Sequence, residues 1–408
     1  MMRSFNPATA GFGLALVAAA VPFVAFLQAR AVVPVAILAA IISLALARKA
    51  GAWRLDIGRP LAAILVLACL WAAVSIPWAP DTWLGTRGAL KLAGNLLLGA
   101  VLFSAARKLD ADGRRWIAPA LLFGFGLTLA LLFVEELFKG PISVGLRGLP
   151  YRGPGGFFWL NASAAILILM IWPASLRLWH RHRGAVVIAA FALVALILYL
   201  MTYWTGLVSL IAGAIGAFCV YAFTRRAGII LAVLFALGVA AAPLLPSTVL
   251  KPDTVVEAVG DVPPPLMHRL HIWEFTSQRI AEHPIRGWGM NASRVIPGRK
   301  NIVEGKAWSG YVMPLHPHNA VLQVWLELGA PGALLFGVFG VLVFLGITRP
   351  HIPRAHAAAA AGQALTALAL LSSSYGIWQS WWLATLWISA SLMAIALSER
   401  KSQGLIES

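Results

Sequence analysis

Two imidazoles and an amide, in the order His316-Pro317-His318-Asn319, stand where a long polar stretch of this chain re-enters an apolar one at Ala320. Imidazole is the side chain whose ordinary pKa, about 6.5, lets it accept a proton near neutral pH, so His318 and His316 are candidates for a general base. Two other roles stay open. Histidines at i, i+2 can bind metal, but a zinc site takes three or four protein ligands, and Glu304, Glu327, His268 and His271 lack ligand spacing with them. Polar groups here can also cap the next helix, the ordinary role of Asn319.

Cations form the second set. The stretch 138–156 holds Lys139, Arg147 and Arg152 with six glycines and no acid. Arg87 and Lys91 are i, i+4 and so share a helix face, with no acid within a turn. Snorkelling suits either one alone, but a pair inside the apolar layer asks for an anion. Arg269 lies in the long polar stretch, where Arg279, Arg286, Arg294 and Arg299 suit solvated or headgroup-facing roles. Guanidinium forks and the N–H groups of glycine-rich loops both suit phosphate, so a diphosphate is the natural ligand for Arg147, Arg152, Arg87, Lys91 and Arg269.

The elements that must hold these residues are membrane helices. Of 408 residues, 60% are hydrophobic and only 12% charged, far from the balance of a soluble domain. Apolar runs of about 17 to 25 residues recur throughout, the length that crosses a bilayer as helix. Twelve spans are expected, at about 11–29, 31–47, 60–77, 84–106, 116–137, 157–178, 184–202, 206–224, 228–245, 319–347, 356–374 and 380–397. The fold class is therefore all-α and polytopic. Residues 1–245 carry nine spans, 246–318 form one large outer loop with interfacial helices, and 319–408 carry three more spans.

The first run is read as a span rather than a cleaved leader, because another span follows it. With the N-terminus inside, eighteen basic residues fall on the seven cytoplasmic segments, and four short outer connections hold only Arg30; the positive-inside rule gives N-in and C-in. That distribution explains the formal charge of +17 without nucleic acid. Cys69 and Cys219 fall inside apolar runs and suggest neither a disulfide framework nor a thiolate metal site. There is no phosphate loop, G-x-S-x-G, H-E-x-x-H or Asp-x-Asp pair, so a substrate already in the membrane is expected, with no cofactor and no metal. Tryptophans 78, 83, 288, 308, 378, 381 and 382 and Tyr311 suit the outer interface.

Within the large loop, Leu266, Leu270, Trp273 and Ile280 stand near helical spacing and Pro284 follows, so a helix over His268–His283 is expected at the bilayer surface.

His318-Asn319, nine residues, then Gly329 and Gly332 is similar to the H-[NSQ]-x9-G-x-x-[GTY] signature of the O-antigen ligase family, relatives of the O-antigen polymerases. Arg269 four residues before Trp273, then Pro284 and Gly287-Trp288-Gly289, adds to the resemblance, as do the twelve spans. The motif covers about fifteen residues and the topology the whole chain. The resemblance implies a GT-C-like inner-membrane glycosyltransferase. It would move a glycan from undecaprenyl diphosphate to lipid A-core on the periplasmic side, without nucleotide or metal. His318 would be the base and Arg269 the essential loop arginine, while His316 is not covered by the signature. An O-antigen polymerase, an O-linked protein oligosaccharide ligase and, outside enzymes, a lipid-linked glycan transporter are the alternatives.

Overall fold

Inside lipid a backbone can satisfy its N–H and C=O groups locally only as helix, and the computed structural model is helical along the apolar runs. It describes residues 11–49, 54–148, 150, 151, 153, 156–305 and 308–398. In chain order the helices are α1 (Phe12–Leu27), α2 (Val32–Lys49), α3 (Arg59–Val74), α4 (Thr82–Arg107), α5 (Ile117–Leu137), the short α6 (Pro141–Arg147), α7 (Asn161–Leu200), α8 (Trp204–Phe223) and α9 (Arg225–Ala241). The large loop contributes α10 (Pro252–Val259) and α11 (Pro264–Glu282), and α12 (Ala320–Ile347), α13 (Arg354–Leu371) and α14 (Ser380–Ser398) follow.

Each expected span falls on one of these helices, with two spans on α7. A straight helix rises about 1.5 Å per residue, which would part Trp172 from Phe191 by roughly 28 Å. Their rings are instead 5.0 Å apart. The Tyr375 hydroxyl likewise bonds the Asn161 carbonyl at 3.0 Å and meets the Tyr203 hydroxyl at 3.3 Å. The run 161–200 is therefore a hairpin of two antiparallel arms, as the basic residues Arg177 to Arg183 suggested. Among the described residues, eight helices are long and apolar enough to cross a membrane; Phe12–Leu27 and Gly184–Leu200 are apolar but shorter.

The first arm of α7 is the centre of the bundle. Ala164 to Ile171 are wholly buried and pack among α1, α5, α13 and α14. Some of the polar groups there pair with one another, as they must where no water competes. The Gln363 amide donates to the carbonyls of Leu169 (3.0 Å) and Ser389 (3.2 Å), and the Trp172 indole N–H donates to Thr366 (3.0 Å).

In the large loop, α11 begins four residues before the expected helix because Pro264 opens it, a place where a missing N–H costs nothing. A feature the sequence did not suggest is an antiparallel pair of strands, β1 (Ile302–Gly305) and β2 (Trp308–Tyr311), with Val303 opposite Gly310. Four-residue strands carry too few alternations to stand out. His268 of α11 donates a ring N–H to the Tyr311 carbonyl at 2.8 Å and holds the pair.

α12 is broken at Gly329 (φ 61°, ψ −159°), between two and three turns after its polar start. Pro331 has no N–H to give, so carbonyls in the preceding turn lose their helical partners. The loop supplies replacements: Trp288 N–H bonds Leu326 O and Gly289 N–H bonds Glu327 O, each at 2.8 Å, and the Trp71 indole takes Leu328 O at 2.7 Å. In return the Ala330 N–H meets Pro284 O at 3.0 Å. The break is thus the seam that locks the large loop onto the bundle.

Candidate active site

Asn319 has extended backbone and its side-chain oxygen accepts from Val321 N–H and Leu322 N–H, each at 3.1 Å, so it caps α12 and fixes where the helix starts. His318 immediately before it is left-handed, with φ 54°, a conformation that costs a residue with a Cβ about 1 kcal/mol or more unless neighbours impose it. They do. The His318 N–H donates to Nδ1 of His316 at 3.1 Å, and the Trp273 indole N–H donates to Pro317 O at 3.0 Å.

The His318 ring is fixed by one further bond, Nδ1 to the backbone carbonyl of Ser374 at 2.7 Å. A carbonyl only accepts, so Nδ1 carries the proton and Nε2 holds a free lone pair. That is the tautomer a general base needs. Burial pushes its pKa below the usual imidazole range, the Ser374 bond opposes this, and the charges of Arg269 and His268 push the same way as burial.

His316 has a different station. It is 6% exposed, its ring centroid is 4.3 Å from that of His318, and the Gln379 amide lies 3.3 Å from its Nε2. Burial, then His318 and Arg294, bring its pKa down to about 3. With Nδ1 taken by the His318 amide it remains neutral and shapes the backbone under the base. The pair has no metal partners: among the described residues no three His, Cys, Asp or Glu side chains are grouped to hold an ion.

Arg269 sits one helical turn before Trp273 on α11, so the helix whose indole pins Pro317 also carries this arginine. Among the described residues it has no carboxylate within ion-pair distance. Burial lowers its pKa, and its charge lowers those of His318 and Tyr203. A half-buried cation without a counter-charge is an open anion position.

The other sequence candidates are spread around the same end of the molecule. Arg147 donates to the carbonyl of Leu27 and lies 4.9 Å over the Trp159 ring, two residues before Asn161 and hence near Tyr375. No contact joins it to His318. Arg152 lies outside the described residues. Arg87 and Lys91 are exposed on one face of α4, Arg87 5.9 Å over Trp83, and they too make no contact with His318. Two loop arginines assigned to solvent have work in the fold: Arg299 bonds the carbonyls of Met313 (3.3 Å) and Pro314, and Arg294 bonds Asn291 (3.1 Å) close to His316.

Sequence reading missed the support at 374–379 and the acid beneath it. Glu327 is wholly buried and accepts from Asn291 N–H (2.5 Å), Ser293 Oγ (2.6 Å), Gln323 Nε2 (3.0 Å) and the Trp378 indole (2.7 Å). Gln323 in turn accepts from Ile377 N–H at 3.1 Å. One carboxylate therefore joins the large loop, α12 and the stretch that carries the Ser374 carbonyl. Glu327→Gln replaces one acceptor oxygen by an NH2 facing donors, and should cost about 2–3 kcal/mol of stability, read as a lower thermal midpoint in detergent. The only sequence signal was an acid within an apolar run, nine residues after His318.

An apolar cavity of about 390 Å³ runs between α9, α12 and α13, past Phe235, Val239, Leu322 and Phe344. Its lining ends at Trp273, Asn319 and Ser372, beside the histidines.

Residues 189–337, which hold Arg269, both histidines, Glu327 and Gly329, match the family model described as O-antigen ligase. Provisionally named polysaccharide ligases of Rickettsia are similar over about two thirds of their length. That of Rickettsia conorii is 27% identical over 70% of this chain and 68% of its own, and that of Rickettsia prowazekii 27% over 67% and 66%. That of Rickettsia bellii is 29% identical over 68% and 67%. The capped His-Asn helix start and the glycine break eleven residues after the histidine both lie inside the stretch of this polytopic, mostly helical chain that is similar to the O-antigen ligase family.

Proposed function

We propose that this chain transfers a glycan from undecaprenyl diphosphate to a sugar hydroxyl of lipid A-core at the periplasmic face of the inner membrane. Both termini are cytoplasmic, and the twelve expected spans all cross in a GT-C-like arrangement. One observation carries the reading: the His318 imidazole is held through Nδ1 by the Ser374 carbonyl, in the field of a half-buried guanidinium that has no carboxylate partner among the described residues.

In the step itself, the acceptor oxygen bonds to the anomeric carbon while its proton passes to His318 Nε2. The bond from that carbon to the diphosphate oxygen breaks, and its electron pair leaves with the phosphate. Negative charge grows where Arg269 lies, so a fixed cation there stabilises the transition state more than the ground state. Arg147, Arg87 and Lys91 add positive potential around the same mouth, Arg152 is a further candidate for the diphosphate, and neither nucleotide nor metal is needed. His316 acts through the backbone of His318. The apolar cavity that ends at Trp273 and Asn319 suits a lipid tail whose head lies at the histidines.

The test is transfer by the purified protein from undecaprenyl diphosphate-linked glycan, with chelator present, supplied with lipid A-core or with donor alone. Product on lipid A-core supports ligase action. Chain growth on the donor with no lipid A-core product would make it a polymerase.

The acidity of the site gives a second expectation. A base must be neutral, so kcat/KM should fall as pH drops through the His318 pKa. Since that pKa is held below 6.5, the acid limb should lie below 6.5. Arg269→Gln removes a neighbouring positive charge and should move the limb of the residual activity toward higher pH. An unmoved limb would separate the two residues.

A further inference from the structure

The carbonyl that fixes the His318 ring lies in the turn 372–379 between α13 and α14, outside either helix. One side of that turn is held by the last turn of α13, where the Ser374 N–H donates to Leu370 O at 2.9 Å. The other side hangs on α12. The Ile377 N–H donates to Gln323 Oε1 at 3.1 Å, and the Gln323 amide nitrogen donates to Glu327 Oε1 at 3.0 Å, one helical turn further on.

Gln323 is 3% exposed, and its amide has one workable orientation. The Ile377 N–H can only donate, so it takes the oxygen and leaves the NH2 group for the carboxylate. Gln323 is also tied to the base from within α12, because its own N–H closes the first turn on Asn319 O at 2.9 Å and Asn319 follows His318. These contacts close a ring: from His318 along α12 to Gln323, across to Ile377, back along the turn to Ser374 O, and from there to His318 Nδ1 at 2.7 Å. The ring has no slack. A Cβ on Gly376, which lies within it, would meet His316 Cδ2 at 2.9 Å and Gln323 Oε1 at 3.4 Å.

We propose that Gln323 is a positioning residue for proton transfer: by holding Ile377 it sets where the Ser374 carbonyl stands, and so keeps the His318 proton on Nδ1 and the Nε2 lone pair free. The proposal rests on the reading of His318 as the base. An imidazole released from that carbonyl exchanges between tautomers, and with its proton on Nε2 it has no lone pair there for the acceptor hydroxyl. A wholly wrong tautomer costs up to about 10⁴-fold in turnover.

Gln323→Met keeps the length of the side chain and removes both amide bonds. With undecaprenyl diphosphate-linked oligosaccharide as donor and lipid A-core as acceptor, kcat should fall about 10- to 100-fold, part of that range, while both KM values hold. Nitrogen NMR of isotope-labelled histidine, with His318→Asn assigning the signal, should show a protonated Nδ1 and a bare Nε2 at His318 in the parent. Gln323→Met should show the averaged signals of two tautomers. Lost packing alone would lower the thermal midpoint without mixing them. Gly376→Ala, whose methyl wedges the turn away from His316, should give the same pair of changes and takes the place of Gln323→Met if that variant does not fold. A parent-like His318 signal in the folded variant, or a kcat loss with the tautomer intact, would overturn the proposal. If His318→Asn transfers at the parent rate, the underlying reading of the base fails, a result distinct from an unmoved tautomer in Gln323→Met.

Discussion

His318→Asn should abolish measurable glycan transfer while leaving the protein folded and able to bind its lipid-linked donor. A positioned base contributes about 10²- to 10⁴-fold, and no second group is poised to replace this one. His316 is only 4.3 Å away between ring centroids, but its Nδ1 lone pair is bound by the His318 amide and its pKa of about 3 leaves it a poor proton acceptor. Asparagine is the informative substitution because it tolerates the left-handed backbone at position 318 better than alanine. His318→Ala should lose turnover equally but with a lower thermal midpoint. Single-turnover transfer with saturating donor reads the chemical step; a parent-like rate in His318→Asn would remove the imidazole from it.

Gly329→Ala should cost the fold rather than the chemistry. Gly329 combines φ 61° with ψ −159°, a region open essentially to glycine, where strain alone is worth roughly 1–3 kcal/mol. A Cβ there would also meet the Ile285 carbonyl oxygen at 2.1 Å, a backbone atom in the stretch 284–289 that completes the seam. Since a Cβ on Gly287 would likewise meet Glu327 O at 2.5 Å from the other side, neither side of the seam can withdraw alone. The expected loss is about 3 kcal/mol or more, among the larger single-residue effects. It should show as lower yield of folded protein in detergent and as proteolysis within the large loop. A variant with the parent's thermal midpoint and loop protection would mean that the break in α12 is not needed to seat the loop.

The helices of this molecule were legible because lipid leaves so few options. A long apolar run must be helical, and the polar breaks between runs must be turns, so composition alone located every long helix, and the basic residues at 177–183 indicated the fold-back within α7. The candidate site residues could be singled out for a similar reason. Titratable groups are scarce in this sequence, and His316, His318, Asn319 and Arg269 stand out by type and place. Among the described residues eight helices meet the length and apolarity of a membrane crossing, fewer than the twelve runs: α1 and the second arm of α7 are apolar but shorter, and α9 and α13 are not among the eight.

What the sequence could not decide is which side chain does what, since that depends on partners tens to hundreds of residues away. The carbonyl that sets the His318 tautomer belongs to Ser374, a backbone atom with no sequence signature. The difference between His318 and His316 is a difference in which ring nitrogen is already taken. Glu327, read in the sequence only for its lack of ligand spacing, becomes the junction of three elements because four donors from separate segments converge on it. Charge pattern grouped Arg147, Arg87 and Lys91 with Arg269, but of these only Arg269 lies on the helix that is anchored next to His318, through the Trp273 bond to Pro317. Composition and periodicity fix where a chain enters and leaves the bilayer; only packing at the seam of loop and bundle fixes which lone pair faces the substrate.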